Sequence, residues 1–331
     1  MRVAIVGAGS WGTALAIHAA RAGHQVMLWA REPEVVEGIC RQRRNPLFLS
    51  DFLLPEGVGA TADLAEAVAR AEVVVFVVPV QFARGVVRQL RGLLKDDVTF
   101  VSASKGIEVA TLSRMDELVA QELALPMERF VALSGPTFAQ EVARGLPAAA
   151  VLAGHSVDRL EYLQRAFSTP QFRLYRCQDV VGVELAGALK NVVAIAAGMA
   201  TGLGLGHNAL AALLTRGLHE MARLGVRLGG RPETFRGLAG MGDLVLTCTG
   251  SLSRNRAVGE RLGRGEPLDQ VLAGREVAEG VPTAKAAAEL ARRWEVEMPI
   301  TLAVEAILAQ RWSPRDAVTA LMTRSLKEEL E

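Results

Sequence analysis

Lysine is scarce in this sequence: of 37 basic residues only five are lysines, Lys95, Lys105, Lys190, Lys285 and Lys327. Arginine carries the routine surface charge, so a lysine in apolar surroundings stands out, and Lys105 and Lys190 are the two to follow. Cysteine is scarcer still. Cys40, Cys177 and Cys248 are odd in number and lack CxxC or Cys/His spacing, which excludes a disulfide framework and a zinc site and points to a reduced compartment. The net charge of only +1 leaves no general basic field for nucleic acid or a membrane surface, so any anion site must be local. No apolar h-region or cleavage site marks the start, "MRVAIVGAGSWG". The most apolar stretches, "VVVFVVPV" and "NVVAIAAGMA", read as too short to span a bilayer. The expectation is a soluble cytoplasmic protein with no integral membrane segment, no nucleic-acid partner and no metal.

What the chain does have is enough length for two domains, 331 residues, with half of them hydrophobic and 22% charged. The first half alternates short β-branched runs with amphipathic segments. Strands are expected at 2–7, 25–30, 73–78, 98–103, 129–134, 148–153 and 172–177, with helices between several of them, such as 11–22, 63–70, 81–94 and 112–123. Near-continuous apolar strands alternating with helices predict an α/β fold with a mostly parallel sheet covered on both faces. Turn residues around Asn45–Pro46 and Pro55–Gly59 mark a longer excursion after the second strand. Beyond about residue 179 the strand signal stops. Helical runs follow at 179–200, 208–225, 255–263, 268–273, 283–294, 300–310 and 314–322. The reading is a dinucleotide-binding domain over 1–178 and an all-helical substrate domain over 179–331, packed around a cleft.

Five phrases carry chemistry. In "GAGSWG", Gly7, Gly9 and Gly12 follow a strand and open a helix, the arrangement that lets backbone and a helix N-terminus approach a pyrophosphate. The next strand runs out at Arg31-Glu32. A glutamate suits a ribose 2′-hydroxyl and an arginine a 2′-phosphate; Arg31 comes first, which favours NADP. "SASKGIE" puts Lys105 at the carboxyl edge of the sheet, where it holds a phosphate, polarises a carbonyl, or is a plain loop lysine. In "LSGPTFAQEV", Gly135-Pro136 forces a turn beside Thr137, an arrangement that is architectural when taken alone. In "GLAGMGDLVLTCTGSLSRNRAVG", Ser253 has the chemistry of an N-cap, and Arg254, Asn255 and Arg256 would suit a phosphate at that helix start. Asp243 is either an acidic partner for a lysine or the N-cap of "LVLTC".

Lys190 and Asn191 interrupt the apolar "GALKNVVAIAAGM". One reading is a snorkelling lysine beside an amide that bonds a neighbouring loop. The other is a lysine whose burial lowers its proton affinity for acid–base work, held by an acid such as Asp243 that opposes the shift. Pattern alone leaves both open.

Taken together, "GAGSWGTALA", "SKGIE", "LSGPTFAQEV", "GVELAGALKNVVAIAAG", "AALLTRGLHEMARLG", "GLAGMGDLVLTCTGSLSRNR" and "VAEGVPTA" resemble the bacterial-type NAD(P)-dependent glycerol-3-phosphate dehydrogenases over nearly the whole chain. The resemblance implies a Rossmann-like N-terminal domain, a helical C-terminal domain and a homodimer. It implies reversible reduction of dihydroxyacetone phosphate to sn-glycerol 3-phosphate, a phospholipid precursor. It implies cofactor contacts at Ser10, Trp11, Arg31, Lys105, Ala139, Arg254, Val277 and Glu279. Substrate contacts would be Lys105, Gly135, Thr137, Lys190, Asp243, Ser253, Arg254 and Asn255. Lys190 falls on the family's proton acceptor, Asp243 would position it, and Asn191 or Lys105 would bond the developing alkoxide. Two positions depart from the pattern: Val80-Gln81 in "VPVQFARGV" replaces a common Ser-His pair, and His207, given no role here, stands where aspartate is common. A ketopantoate-reductase-like enzyme and a dinucleotide sensor without turnover are the alternatives; "SLSRNR" and the Lys190–Asp243 combination speak against them.

Overall fold

The computed structural model describes residues 1–273 and 278–329. The first part of the chain alternates as expected. Its strands and helices run β1 (Arg2–Val6), α1 (Ser10–Arg21), β2 (Gln25–Trp29), α2 (Pro33–Gln42), β3 (Val58–Thr61), α3 (Leu64–Val68), β4 (Val73–Phe76) and α4 (Val80–Gln89). They continue with β5 (Thr99–Ser102), α5 (Met115–Leu123), β6 (Phe130–Ser134), α6 (Ala139–Arg144), β7 (Ala148–Gly154), α7 (Val157–Phe167) and β8 (Phe172–Cys177). The eight strands form one sheet in the order β3-β2-β1-β4-β5-β6-β7-β8, parallel throughout except where β7 meets β6. The order reverses between β1 and β4, and the crevice at the carboxyl ends of those strands is where such sheets bind ligands.

Apolar side chains alternate to the two faces because successive residues of a strand point oppositely. Val3 and Ile5 join one core layer with α1 and α7, while Ala4 and Val6 join the other with α4 and α5. In that second layer Phe76, Phe100 and Phe130 stack across three strands with ring centroids 5.6 and 6.2 Å apart. The sequence reading omits β3. Its segment, Val58-Gly-Ala-Thr61, has one β-branched residue at each end and sits inside the expected excursion, which also holds α2. It is an edge strand, stabilised by pairing with β2 and not by its own composition.

From residue 180 the structure is helical: α8 (Val180–Gly202), α9 (Gly206–Arg227), α10 (Pro232–Arg236), α11 (Asp243–Thr249), α12 (Arg254–Gly263), α13 (Leu268–Leu272), α14 (Gly280–Arg293), α15 (Pro299–Leu308) and α16 (Pro314–Met322). Asp179 caps α8 by accepting from Gly182 N at 2.9 Å, and its other oxygen accepts from Arg231 N at 2.7 Å, tying the start of α8 to the approach of α10. The "NVVAIAAGMA" run belongs to this helix, which corrects the expectation of a stretch too short for a membrane: α8 has 23 residues and is long and apolar enough to cross one by composition. Its most apolar window is nevertheless 83% buried inside the protein, so α8 is a core helix. α12 lies against it with no side-chain layer between. A Cβ on Gly198 would stand 2.0 Å from Arg256 O, and one on Gly259 would stand 1.9 Å from Ile195 O. Gly202 and Gly263 make the same close approach one turn further along.

Candidate active site

The turn from β1 into α1 needs its glycines. Gly7 has φ +117°, a left-handed conformation, and a Cβ on Gly12 would stand 1.8 Å from Gly7 O. Around Gly9, by contrast, a Cβ would meet nothing within 4 Å, so the backbone faces open space. Gly9 is the N-cap of α1 and supplies no side-chain cap, and the first turn, beginning Ser10-Trp11, carries no acid. The positive end of α1 therefore has no anionic side chain of its own. Trp11 Nε1, in the first turn of α1, is buried without a partner among the described residues, and so is Glu279 Oε2, which lies beside Gly106. A dinucleotide pyrophosphate fits this arrangement: amides and dipole are presented, and space lies over the glycine. Arg31 follows β2, 81% exposed, and pairs with Glu32 at 3.0 Å. Ala139 opens α6, which packs on α1. Val277 lies outside the described residues.

Glu279 comes from the helical part of the chain yet reaches the sheet. Its Oε1 accepts from Val80 N at 3.1 Å at the start of α4, and burial pushes its carboxyl up to about 7.

The second half of the site is a carboxylate shared by two ammonium groups. Asp243 Oδ1 accepts from Lys190 Nζ at 2.8 Å, and Oδ2 accepts from Lys105 Nζ at 2.7 Å. This decides the two readings of Asp243. It is the first residue of α11 rather than its N-cap, and its side chain serves the lysines. The glycine-rich phrase before it forms a single wide π-helical turn, Leu238–Gly242, whose Gly242 N donates back to Gly237 O at 3.1 Å and which feeds directly into α11. Lys190 also donates to Thr247 Oγ1 at 2.6 Å, and Lys105 to Gly135 O at 3.1 Å. Thr137 Oγ1 bonds the same Gly135 carbonyl, at 3.2 Å. Thr247 is absent from the sequence reading; its signal is the four-residue spacing from Asp243, which puts both on one face of α11.

The electrostatics follow from burial. Lys190 is 6% exposed and Asp243 2%. Desolvation pulls Lys190 down to about 8, further helped by the Lys105 charge, and Asp243 opposes the fall. For Asp243 the largest single influence, burial, acts upward, but two adjacent ammonium groups outweigh it and hold the carboxyl below its usual range. The lysine does not snorkel; it ends on a buried carboxylate.

Asn191, its neighbour, points along a different path. Its Oδ1 accepts from Asn255 Nδ2 at 2.9 Å, and Asn255 Oδ1 in turn accepts from Gly280 N at 2.9 Å. Asn191 Nδ2 makes a long bond to Gly187 O at 3.3 Å. Ser253 is the N-cap of α12, accepting from Arg256 N at 3.2 Å, and Arg254 beside it is exposed. The start of α12 is thus one hydrogen bond from the residue following Lys190. His207 sits exposed near the start of α9, apart from these groups. Among the described residues no group of three or more His, Cys, Asp or Glu side chains is arranged to hold a metal.

Both the sequence and the fold are similar to known proteins. Residues 2–159 match the model for the N-terminus of NAD-dependent glycerol-3-phosphate dehydrogenase, and residues 179–319 match that for its C-terminus. The chain is 53% identical to a glycerol-3-phosphate dehydrogenase [NAD(P)+] from Nitratidesulfovibrio vulgaris, covering 99% of this chain and 100% of that one. A crystal structure of glycerol-3-phosphate dehydrogenase from Coxiella burnetii superposes with TM-score 0.93 at 38% identity, over 98% of this chain and 99% of that one. A ketopantoate reductase from Ralstonia eutropha shares the fold alone, with TM-score 0.59 at 16% identity over 96% of this chain and 100% of that one. The chain belongs to the NAD-dependent glycerol-3-phosphate dehydrogenase family.

Proposed function

We propose that the chain reversibly reduces dihydroxyacetone phosphate to sn-glycerol 3-phosphate with Lys190 as the general acid and base. The observation that carries this reading is the Lys105–Asp243–Lys190 bridge. Bound NAD(P)H supplies the hydride that reduces the carbonyl carbon. The Gly7–Gly12 turn with Ser10 and Trp11, together with Arg31, Ala139, Arg254, Val277 and Glu279, would hold that cofactor, and Arg31 favours NADPH.

Lys190, drawn down to about 8, is mostly protonated at neutral pH yet gives up its proton without a large penalty. It protonates the oxygen on which negative charge grows, and it removes that proton in the oxidative direction. Asp243 and Thr247 fix the direction of its Nζ, while Lys105 or Asn191 donates a hydrogen bond to the developing alkoxide. Ser253, Arg254 and Asn255 grip the phosphate with the amides and dipole of α12, and Gly135 and Thr137 border the substrate. Phosphate binding, remote from the reacting carbon, orients that carbon.

What supports a division into residues 1–178 and 179–331 is the start of α8 directly after β8, with the two family matches falling on either side. On this reading the enzyme is a cytoplasmic homodimer supplying a phospholipid precursor. The deciding assay is NADPH oxidation by purified protein with dihydroxyacetone phosphate against unphosphorylated dihydroxyacetone. The phosphorylated substrate is expected to be better by a factor on the order of 100 or more in kcat/KM. Equal rates would overturn the phosphate grip.

A further inference from the structure

Two side chains of α4 are left without a part in this chemistry. Gln81, in the first turn, faces the loop between β5 and α5 that carries Lys105. Its Nε2 donates to Ile107 O at 2.8 Å and its Oε1 accepts from Val109 N at 3.1 Å, so one amide satisfies a backbone acceptor and a backbone donor two residues apart. Three residues further along α4, Arg84 grips the residue between them. Its Nε donates to Glu108 Oε1 at 2.9 Å and its Nη2 to Glu108 Oε2 at 2.7 Å, a two-pronged bond to a carboxylate only 5% exposed. The bond from Arg84 holds Glu108 below the usual carboxylate range, and Thr111 adds a hydroxyl. On the other side of Lys105, Ser104 Oγ donates to Val78 O at 2.7 Å, just before α4. Lys105 is thus flanked by anchored residues on both sides, and the bonds with Gln81, Arg84 and Val78 all come from α4 or the short link before it.

We propose that Gln81, backed by Arg84, is a positioning residue for Lys105: by pinning residues 107–109 it sets the reach of the Lys105 ammonium to Asp243. Asp243 is then shared between two cations instead of closing on Lys190 alone. The inference rests on the acid–base reading of Lys190, because sharing matters through that lysine. Among the described residues, the titratable groups facing Lys190 are Asp243 and Cys248 from α11 and Lys105 from the β5 loop. Lys105 is the one whose charge pushes the Lys190 proton off, so letting it drift away raises the proton affinity of Lys190.

The test uses Gln81→Met, which keeps the side chain's length and loses both hydrogen bonds. Because the chain has only five lysines, their ¹³Cε signals can be titrated individually, with Lys105→Arg and Lys190→Arg variants as assignments. Lys190 is expected to titrate near 8 in the unmodified protein. In Gln81→Met it is expected to titrate higher by about half a pH unit or more. The kcat is expected to fall about tenfold while NADPH affinity stays within about twofold. An unchanged lysine titration, even with a lower melting temperature, overturns the proposal, and so does an unchanged kcat. Gln81→Asn, one methylene too short to span both backbone groups, is expected to move the titration in the same direction and decides the matter if the first variant does not fold. Gln89→Met, exposed on the same helix, is expected to change neither readout. An unmodified protein inert toward dihydroxyacetone phosphate would defeat the reaction, while the lysine titration would still decide the role of Gln81.

Discussion

Replacing Lys190 by methionine should make the folded protein more stable at neutral pH while removing its turnover. The reasoning starts from the descent of the ammonium from its usual 10.5 to about 8. At about 1.36 kcal/mol per pH unit, that difference is roughly 3 kcal/mol of destabilisation carried by the charged form. The sign follows from proton linkage. The unfolded chain binds the proton more tightly, so stability in the unmodified protein rises with pH between about 8 and 10.5, and the full cost applies below about 8. Lys190→Met has no such group and loses that slope. The value near 8 already includes the attraction of Asp243, so the remaining offset at pH 7 is the hydrogen bonds to Asp243 and Thr247 that methionine cannot make, and the pH dependence of the difference is the cleaner quantity. Denaturant unfolding of both proteins at pH 7 and pH 10 is expected to show the variant's advantage shrinking by about 2–3 kcal/mol at the higher pH. A difference that stays constant across that range would refute the reasoning, since it would mean Asp243 fully compensates the burial. In parallel, NADPH oxidation by the variant is expected to fall to background with nucleotide binding retained.

Two further outcomes test the ends of the site. Arg31→Ala removes an exposed guanidinium paired with Glu32, and is expected to weaken NADPH about tenfold while leaving NADH within about twofold, as measured by fluorescence titration. Equal weakening of both would remove the 2′-phosphate role. Ser253→Ala deletes the cap on Arg256 N, and is expected to cost about 1 kcal/mol in thermal unfolding and to raise KM for dihydroxyacetone phosphate but not for dihydroxyacetone.

The elements visible in the sequence are those whose own residues specify them. The glycines at 7, 9 and 12 announce a turn because the close approach of Gly12 to Gly7 O admits no Cβ. The apolar strands and the long α8 announce themselves by composition. β3 does not, because its pairing with β2 is what makes it a strand. In the site, the meeting of Lys190 with Asp243 was open to the sequence as one of two readings, while the sharing of that carboxylate with Lys105 was not. Lys105 lies 138 positions from Asp243 and Lys190 lies 53 from it, so only the tertiary fold brings the three together, while the turn before Asp243 is closed locally: a Cβ on Gly240 would collide with Phe235 O at 2.1 Å. Thr247 was given no role within the "LVLTC" that follows Asp243, and Gln81 was visible only as a departure from a pattern.

The bare contact between α8 and α12 sets a length. With glycines meeting main chain on both helices, α8 and α12 are held at backbone distance from Ile195 onward, and the Asn191–Asn255 side-chain pair bridges them at the end that carries Lys190 and the proposed phosphate site. The distance from phosphate to reacting oxygen is therefore gauged by two backbones, which do not stretch. On the proposed function the enzyme is a caliper for a three-carbon phosphate. On that reading a substrate longer by one carbon seats its phosphate and overshoots the proton, while a Cβ at Gly259, 1.9 Å from Ile195 O, forces the two helices apart at a cost in stability.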